Sequence, residues 1–251
     1  MADTEEPTPQ EVNEQLVLVT GESSTGKSAA LRTLKNPERW LYCNCENGKR
    51  LPFKSKFQEY RITDPYHLYE AIEHVTGNDD FDGIIIDTIT MAMDIFETIY
   101  VNGADDTRAA WADYATFLRT LMNSYVTPCD KAVIILAHNK VEYDEKTMEY
   151  RVTADLKGAV GKGKGFESMF STVVTAKKVD MKLVVDHPSH LLNPDEDDED
   201  VGYKHCFQVR PTRATRNERI RSPMGMFPRS EPFMDNDLQL LLDHLNAYYR
   251  G

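Results

Sequence analysis

The chain has 251 residues, of which 41% are hydrophobic and 28% are charged, and this is the composition of an ordinary soluble globular protein. No apolar run is long enough to cross a bilayer, and the acidic, proline-containing N-terminus is unlike a signal or transit peptide, so we exclude a membrane contact and expect a cytoplasmic location. The net charge of −12 excludes a surface that binds nucleic acid over its whole extent, and any such contact must use a local basic patch.

Strand-like and helix-like segments alternate along the first two thirds of the chain, after a polar segment, residues 1–14, that we predict to be a flexible acidic tail. Short apolar runs predict strands at Leu16–Thr20, Trp40–Cys45, Glu59–Ile62, Gly83–Asp87 and Ala132–Ala137. Helical spacing predicts helices at Ser28–Leu34, Tyr66–Val75 and Arg108–Tyr125. The alternation predicts an α/β fold whose sheet is mostly parallel and carries helices on both faces.

The pattern changes after about Ser171, where strands are predicted with little helix between them. These strands are Ser171–Ala176, Met181–Asp186 and Tyr203–Val209. The last two flank an acidic, proline-containing segment, which predicts an antiparallel hairpin with a solvated tip at residues 190–202. A leucine-rich helix at Asp237–Tyr248 closes the chain. We therefore predict one domain over residues 15–251, with the acidic hairpin as an insertion in it.

A phosphate-binding loop is the strongest signal, because GESSTGKS matches GxxxxGK[ST] between a predicted strand and a predicted helix. Its members are Gly21, Glu22, Ser23, Ser24, Thr25, Gly26, Lys27 and Ser28. The glycines allow close approach of the backbone, whose amides converge on the phosphates at the helix N-terminus. Lys27 is predicted to reach the β and γ oxygens, and the Ser28 hydroxyl to ligate Mg²⁺. We expect ATP with Mg²⁺ as the ligand.

Carboxylates that follow two predicted strands complete the expected site. Asp87 ends the apolar strand FDGIIID, which predicts a second Mg²⁺ ligand at the edge where open α/β sheets bind ligands. Thr88 follows it, so the acidic residue that many ATPases place there is missing. Glu46, just past the second strand, is the candidate general base that would polarise the attacking water.

These features together resemble the RecA-like ATPase core. The resemblance rests on a glutamate after the second strand, Asp87-Thr88 at the end of the Walker B strand, and a polar residue, His138 or Asn139, after the next strand. The FDGIIIDTIT pattern is most similar to the reduced RecA-like ATPases of bacteriophages, a family that includes single-strand-annealing recombination proteins. The resemblance implies ATP hydrolysis, single-stranded DNA as partner, self-association into a ring or filament, and the cytoplasm of an infected bacterium. It also implies that His138 or Asn139 senses the γ-phosphate.

Two further regions acquire candidate roles from this resemblance. Arg219 and Arg221, in the run Arg219-Ile220-Arg221, resemble the basic finger that reaches a neighbouring subunit's γ-phosphate, although a solvated or DNA-facing basic strip is an alternative. The glycine-rich segment between residues 140 and 170 corresponds to a DNA-binding loop, although a flexible surface loop is an alternative. Its candidate DNA-binding residues are Lys157, Lys162, Lys164 and Phe166.

Three alternative functions stay open at this stage. Asn139-Lys140-Val141-Glu142 resembles the guanine-reading motif of small GTPases, but Glu142 replaces its aspartate. A small-molecule kinase would use the Arg219–Arg221 strip as a lid. An ATP-binding switch that organises other proteins would hydrolyse little ATP, and the acidic run 195–200 could then dock a basic partner.

Overall fold

The structure, a computed structural model, describes residues 13–145, 148–161 and 165–250, so nearly all of the predicted tail lies outside the described residues. Within these ranges nine strands form one sheet. They are β1 (Leu16–Gly21), β2 (Trp40–Asn44), β3 (Gln58–Arg61), β4 (Gly83–Asp87), β5 (Ala132–Asp144), β6 (Glu149–Ala154), β7 (Thr172–Asp180), β8 (Tyr203–Gln208) and β9 (Phe233–Asp235).

The sheet is mixed, with a parallel part that contains the first strand and an antiparallel part near the C-terminus. The strand order is β3-β2-β4-β5-β1-β7-β8-β9, and β6 pairs with the outer half of β5. The six strands from β3 to β7 in this order run parallel, whereas β8 and β9 are antiparallel additions beyond β7. This arrangement confirms the predicted fold class. It also brings the ends of β1, β2, β4 and β5 to one edge, where ligands bind in such sheets.

Helices and helical turns cover the sheet and connect its strands. The α-helices are α1 (His67–Val75), α2 (Ile89–Phe96), α3 (Thr107–Thr120), α4 (Gly158–Gly161), α5 (Met181–Asp186), α6 (Glu196–Val201) and α7 (Leu238–Arg250). The 3₁₀ turns are Ser28–Thr33, Pro37–Arg39 and Phe166–Met169, and two π-helical turns, Glu97–Val101 and Leu121–Val126, extend α2 and α3. No helix in the described part of the chain is both long and apolar enough to span a membrane.

Alternate side chains of the central strands pack on opposite faces of the sheet. Leu18 and Ile84 belong to the cluster under α1, α2 and α3, while Val19 and Ile85 belong to the cluster under Ser28–Thr33 and α7. Each of these four side chains is 0% exposed. Burial on both faces explains why these strands are continuous apolar runs in the sequence, as is usual for parallel sheets.

The predicted strand at Met181–Asp186 is wrong, because this segment is the helix α5. Asp180 caps the helix by accepting a hydrogen bond from the Lys182 amide at 2.8 Å. Val184 is buried, but Leu183 and Val185 are 46% and 69% exposed, so apolar residues on both sides of the buried one face solvent. The apolar residues of this run therefore share no buried face, and the Asp180 cap starts a helix at this point instead.

The acidic segment is also not a hairpin tip. Its residues 196–201 form α6, which starts with a reciprocal capping box between Asp195 and Asp198 and ends at Gly202 in the left-handed conformation. Asp198 pairs with Lys204 at 2.8 Å. The antiparallel pair that encloses this insertion is β7 with β8, so the hairpin exists, but its first strand is the one predicted at Ser171–Ala176, which continues to Asp180.

The fifth strand is longer than predicted and begins a hairpin. We expected it to end at Ala137, but it continues to Asp144 and pairs antiparallel with β6. The first half of the segment between residues 140 and 170, which we expected to be an open loop, is therefore a hairpin. Tyr143 and Tyr150 face each other on it, with ring centroids 5.1 Å apart and exposures of 49% and 65%.

The two-sided core predicts a large difference between two leucine substitutions. Leu18→Ala should lower the free energy of unfolding by about 2–5 kcal/mol, because it opens a cavity in a core that packs on both sides of β1. Leu183→Ala should change it by less than about 1 kcal/mol, since that side chain is 46% exposed. Urea denaturation followed by circular dichroism measures both, and equal losses would contradict this description of the core.

Candidate functional site

The phosphate-binding motif lies between β1 and the 3₁₀ turn Ser28–Thr33, as the sequence predicted. Gly26 has a φ of +99°, and a Cβ at this position would collide with the Asn236 amide. The Asn236 side chain donates to the Gly26 carbonyl at 3.2 Å, and the His205 ring nitrogen Nδ1 lies 3.0 Å from the Thr25 carbonyl. The C-terminal strands thus fix the loop from outside, which the motif alone does not indicate.

Lys27 is folded back over the loop. Its ammonium donates to the carbonyls of Gly21 and Glu22 at 2.9 and 2.7 Å, and the residue is only 6% exposed. Burial lowers the pKa of Lys27 to about 8, and the nearby carboxylates of Asp87 and Glu46 only partly oppose this shift. Among the described residues no carboxylate lies within salt-bridge distance of Lys27, so phosphate oxygens can replace its carbonyl partners without breaking an ion pair.

Asp87 provides the acidic side chain expected at the end of β4. It is 1% exposed, and burial raises its pKa, which the hydroxyls of Ser28 and Tyr42 oppose. Tyr42 donates to Asp87 Oδ2 at 3.0 Å, whereas Oδ1 is buried without a hydrogen-bond partner among the described residues. A buried acceptor without a partner is costly unless a cation or water binds it. Ser28 and Asp87 therefore fit the oxygen-ligand chemistry of Mg²⁺.

Glu46 lies across the pocket from the phosphate loop. Its carboxylate contacts His138 Nε2 at 3.4 Å and Lys49 Nζ at 2.6 Å, and its side chain is 13% exposed. The hydrogen bond with His138, and then that with Lys49, lowers the pKa of Glu46 to about 2. The carboxylate is therefore ionised at all physiological pH values. It can accept a hydrogen bond from a water molecule and orient it.

His138 connects the two sides of the site, whereas Asn139 does not reach it. His138 Nδ1 lies 3.4 Å from Lys27 Nζ, so the ring bridges the lysine and Glu46. The Thr90 hydroxyl accepts a hydrogen bond from the His138 backbone amide at 3.0 Å, which fixes the position of His138. Asn139 pairs with Ala154 in the hairpin and lines a separate small cavity. Of the two candidate sensors, the geometry supports His138.

These groups line a pocket of about 330 Å³ at the edge of the sheet. Sequence reasoning missed several of its residues, which come from the turn after the phosphate loop, from β2, from the segment after Glu46 and from β8. The missed residues are Ala29, Tyr42, Lys49, Arg50, Leu51, Pro52 and His205. Proximity to Glu46 in the sequence was a signal for Lys49, but no sequence signal identifies His205, which reaches the loop only because β8 adds to the sheet beyond β7.

The two predicted finger arginines make contacts within their own chain. Arg219 pairs with Glu167 at 3.1 Å, and that glutamate is 2% exposed. Arg221 donates to the Phe170 carbonyl at 3.3 Å, and its backbone forms a bridge with Val173 of β7. Arg219 also lines the small cavity that contains Asn139. The segment is therefore held against the hairpin and β7 rather than in the nucleotide pocket of the same chain.

The candidate DNA-binding residues are only partly brought together. Lys157 forms ion pairs with Glu97 and Asp94, the latter at 3.3 Å, and remains half exposed. Phe166 is 1% exposed and packs against Phe170 with ring centroids 5.0 Å apart, so the expected base-stacking role of Phe166 is inconsistent with its position in the core. Lys162 and Lys164 lie outside the described residues.

The depressed pKa of Lys27 predicts that triphosphate binding depends on pH. In the protein without nucleotide, Lys27 loses its proton as the pH rises through about 8, and only the protonated side chain attracts phosphates. Affinity should therefore fall about tenfold between pH 7 and pH 9, and binding at pH 9 should take up close to one proton. Calorimetry in two buffers of different ionisation enthalpy measures the uptake. The Lys27→Arg variant, whose side chain stays charged, should bind the triphosphate without taking up a proton. If the parent takes up no proton at pH 9, the low pKa of Lys27 is wrong.

Comparison with known protein families agrees with this geometry. A family model described as an AAA domain matches residues 13–209, which contain the phosphate loop, Glu46, Asp87 and His138. A search of curated proteins found no match. The match covers more than three quarters of the chain and the whole parallel part of the sheet. The chain therefore belongs to the AAA domain family of P-loop ATPases.

Proposed function

We propose that the protein hydrolyses ATP to ADP and phosphate with Mg²⁺ as cofactor, and that Glu46 orients the attacking water. The observation that carries this proposal is the position of Glu46, whose carboxylate lies at the same end of the pocket as the Lys27 ammonium, with His138 in contact with both. Lys27 is the side chain that meets the β and γ phosphates in such loops. A water molecule beside Glu46 is then next to the γ-phosphorus.

The chain's own residues divide the work of the reaction. The loop amides and Lys27 bind the phosphates, and Ser28 and Asp87 would hold Mg²⁺, which when bound neutralises phosphate charge. The water oxygen adds to the γ-phosphorus, and the bond from this phosphorus to the bridging oxygen breaks with its electron pair left on ADP. Glu46 accepts the water proton, which then passes to the released phosphate. His138 contacts both ends of this arrangement and is proposed to respond to the γ-phosphate.

Single-stranded DNA is the partner we propose, in phage-type recombination or replication. The support is the resemblance to phage RecA-like ATPases and the lysine-containing, glycine-rich segment that follows β6. The exposed rings of Tyr143 and Tyr150 on the adjacent hairpin offer stacking surfaces that buried Phe166 does not. We also propose self-association, in which Arg219 or Arg221 acts on a neighbour's nucleotide after the Arg219–Glu167 pair opens.

A protein-interaction switch with little DNA affinity is the second candidate. Two observations favour it over the DNA-binding function. Lys157 is neutralised by two acidic side chains, and the described part of the hairpin pairs its cations internally, Lys140 with Glu142 and Arg151 with Asp144. Such a surface attracts a polyanion weakly.

The first test concerns the chemistry. Glu46→Gln should bind ATP as the parent does but hydrolyse it roughly 10²-fold more slowly or worse, the loss expected when a general base is removed. Asp87→Asn should instead raise the Mg²⁺ concentration needed for half-maximal turnover, because it removes a charged ligand of the metal. Glu73→Gln, an exposed change of the same kind on α1, is the matched control and should have no effect. Unchanged turnover in Glu46→Gln would refute the role of Glu46.

The second test concerns DNA. If Lys162 and Lys164 contact the strand, the logarithm of the affinity should fall with the logarithm of the salt concentration, with a slope of about −0.7 per neutralised phosphate. Replacing both lysines with alanine should flatten this slope and leave ATP affinity without DNA unchanged. The double change Lys54→Ala with Lys56→Ala, at exposed positions of another loop, controls for net charge. A parent that binds no single-stranded DNA at low salt with ATP would favour the switch.

A further inference from the structure

The turn that follows Glu46 directs a second cation into the site. Asn47 and Gly48 both have positive φ values, 53° and 75°, and the Lys49 amide donates to the Glu46 carbonyl at 2.9 Å. Asn-Gly in the left-handed conformation is the preferred centre of a tight turn that reverses the chain. The first and last residues of this turn therefore lie side by side, and their side chains form the 2.6 Å pair between Glu46 and Lys49.

A buried asparagine holds both ends of this turn. The Asn44 side chain, which is 0% exposed, accepts the Glu46 amide at 3.0 Å and donates to the Lys49 carbonyl at 3.0 Å. Its amide also donates to Glu59 at 2.8 Å, so its orientation is fixed. A turn held in this way positions its side chains before a ligand arrives, and preorganised charge is worth most in catalysis.

The Lys49 ammonium lies at the phosphate end of the pocket. The residue lines the pocket together with Lys27, Glu46 and His138. The Lys49 ammonium lies 2.6 Å from the Glu46 carboxylate, which lies 3.4 Å from His138 Nε2. The other nitrogen of that ring, Nδ1, lies 3.4 Å from the Lys27 ammonium. The Lys49 side chain is 69% exposed, so it is free to change its partner without disturbing the core.

Phosphoryl transfer benefits from a cation at this end of the pocket. Negative charge on the γ-phosphate oxygens and the bridging oxygen must be stabilised in the transition state, and ATPases commonly use a basic finger for this purpose. The arginines predicted for that role, Arg219 and Arg221, contact Glu167 and Phe170 outside the pocket. Lys49 is already inside the pocket, in the same chain as the phosphate loop.

We propose that Lys49 is a catalytic residue supplied by the same chain, whose ammonium transfers from Glu46 to the γ-phosphate oxygens as the transition state forms. Lys49 keeps its proton throughout, and it stabilises the charge that develops when the bond to the bridging oxygen breaks. As it leaves, the Glu46 carboxylate loses a cationic partner and accepts the proton of the attacking water more readily. This inference rests on the proposed ATP hydrolysis and adds a cation that comes from the same chain as the phosphate loop.

The test compares ground-state and transition-state binding in three variants. Lys49→Ala should lower turnover on the order of 10²-fold, the usual effect of removing one preorganised donor. Its affinity for a non-hydrolysable ATP analogue should stay within about threefold of the parent's, whereas its affinity for ADP with aluminium fluoride should fall by about the same factor as turnover. Lys49→Arg should restore part of the turnover and part of the affinity for ADP with aluminium fluoride. Lys54→Ala, an exposed change a few residues further along, is the matched control.

Two results would overturn the assignment, and both differ from failure of the proposed function. If Lys49→Ala binds ADP with aluminium fluoride as tightly as the parent, the lysine makes no transition-state contact. If Lys49→Ala hydrolyses ATP faster, the lysine restrains Glu46 instead. In both cases the parent hydrolyses ATP and Glu46→Gln does not. A parent without ATPase activity, or an active Glu46→Gln, would instead refute the proposed chemistry and the role of Lys49 with it.

Discussion

Lys27 and Asp87 are buried groups of opposite charge that line the same pocket, and the rest of the site depends on how each of these charges is stabilised. Each residue is less than a tenth exposed, and burial shifts each pKa toward the neutral form. Isolated charges could not be kept there, so the loop carbonyls, Tyr42 and the Glu46 carboxylate surround them with partners and counter-charge. The pocket lining carries three basic side chains, Lys27, Lys49 and Arg50, against two carboxylates, Glu46 and Asp87. Its net charge is positive, which suits a triphosphate that remains an anion after its cation has bound.

The parallel sheet makes this concentration of charge possible. Because β1, β2, β4 and β5 run in the same direction, the C-terminal ends of the first three and the middle of β5 place the phosphate loop, Glu46, Asp87 and His138 at one edge. The strands are buried on both faces and cannot shift by one residue without moving an entire apolar set to the wrong side. The apolar side chains of these strands, which pack several residues before the charged edge, thus fix the positions of the charged residues before a nucleotide binds.

The additions to this core stabilise the loops that carry the chemistry. Asn44 fixes the turn from Glu46 to Lys49, while His205 and Asn236 hold the phosphate loop from the antiparallel strands and the segment after them. The acidic insertion is attached to β8 as well, because Asp198 pairs with Lys204, and Lys204 directly precedes His205.

The sequence alone determined the α/β fold class, the phosphate loop, and the positions of Asp87 and Glu46 at strand ends, because these features depend on spacing along the chain and on apolar runs of a few residues. Only the tertiary structure decided the helix at Met181–Asp186, the burial of Phe166 and the entry of His205 into the site. Each of these depends on a neighbour distant in the sequence or on a competition between a cap and a short apolar run. The pattern of apolar residues in a segment indicates which of its faces is apolar, but it does not indicate which distant segment packs against that face.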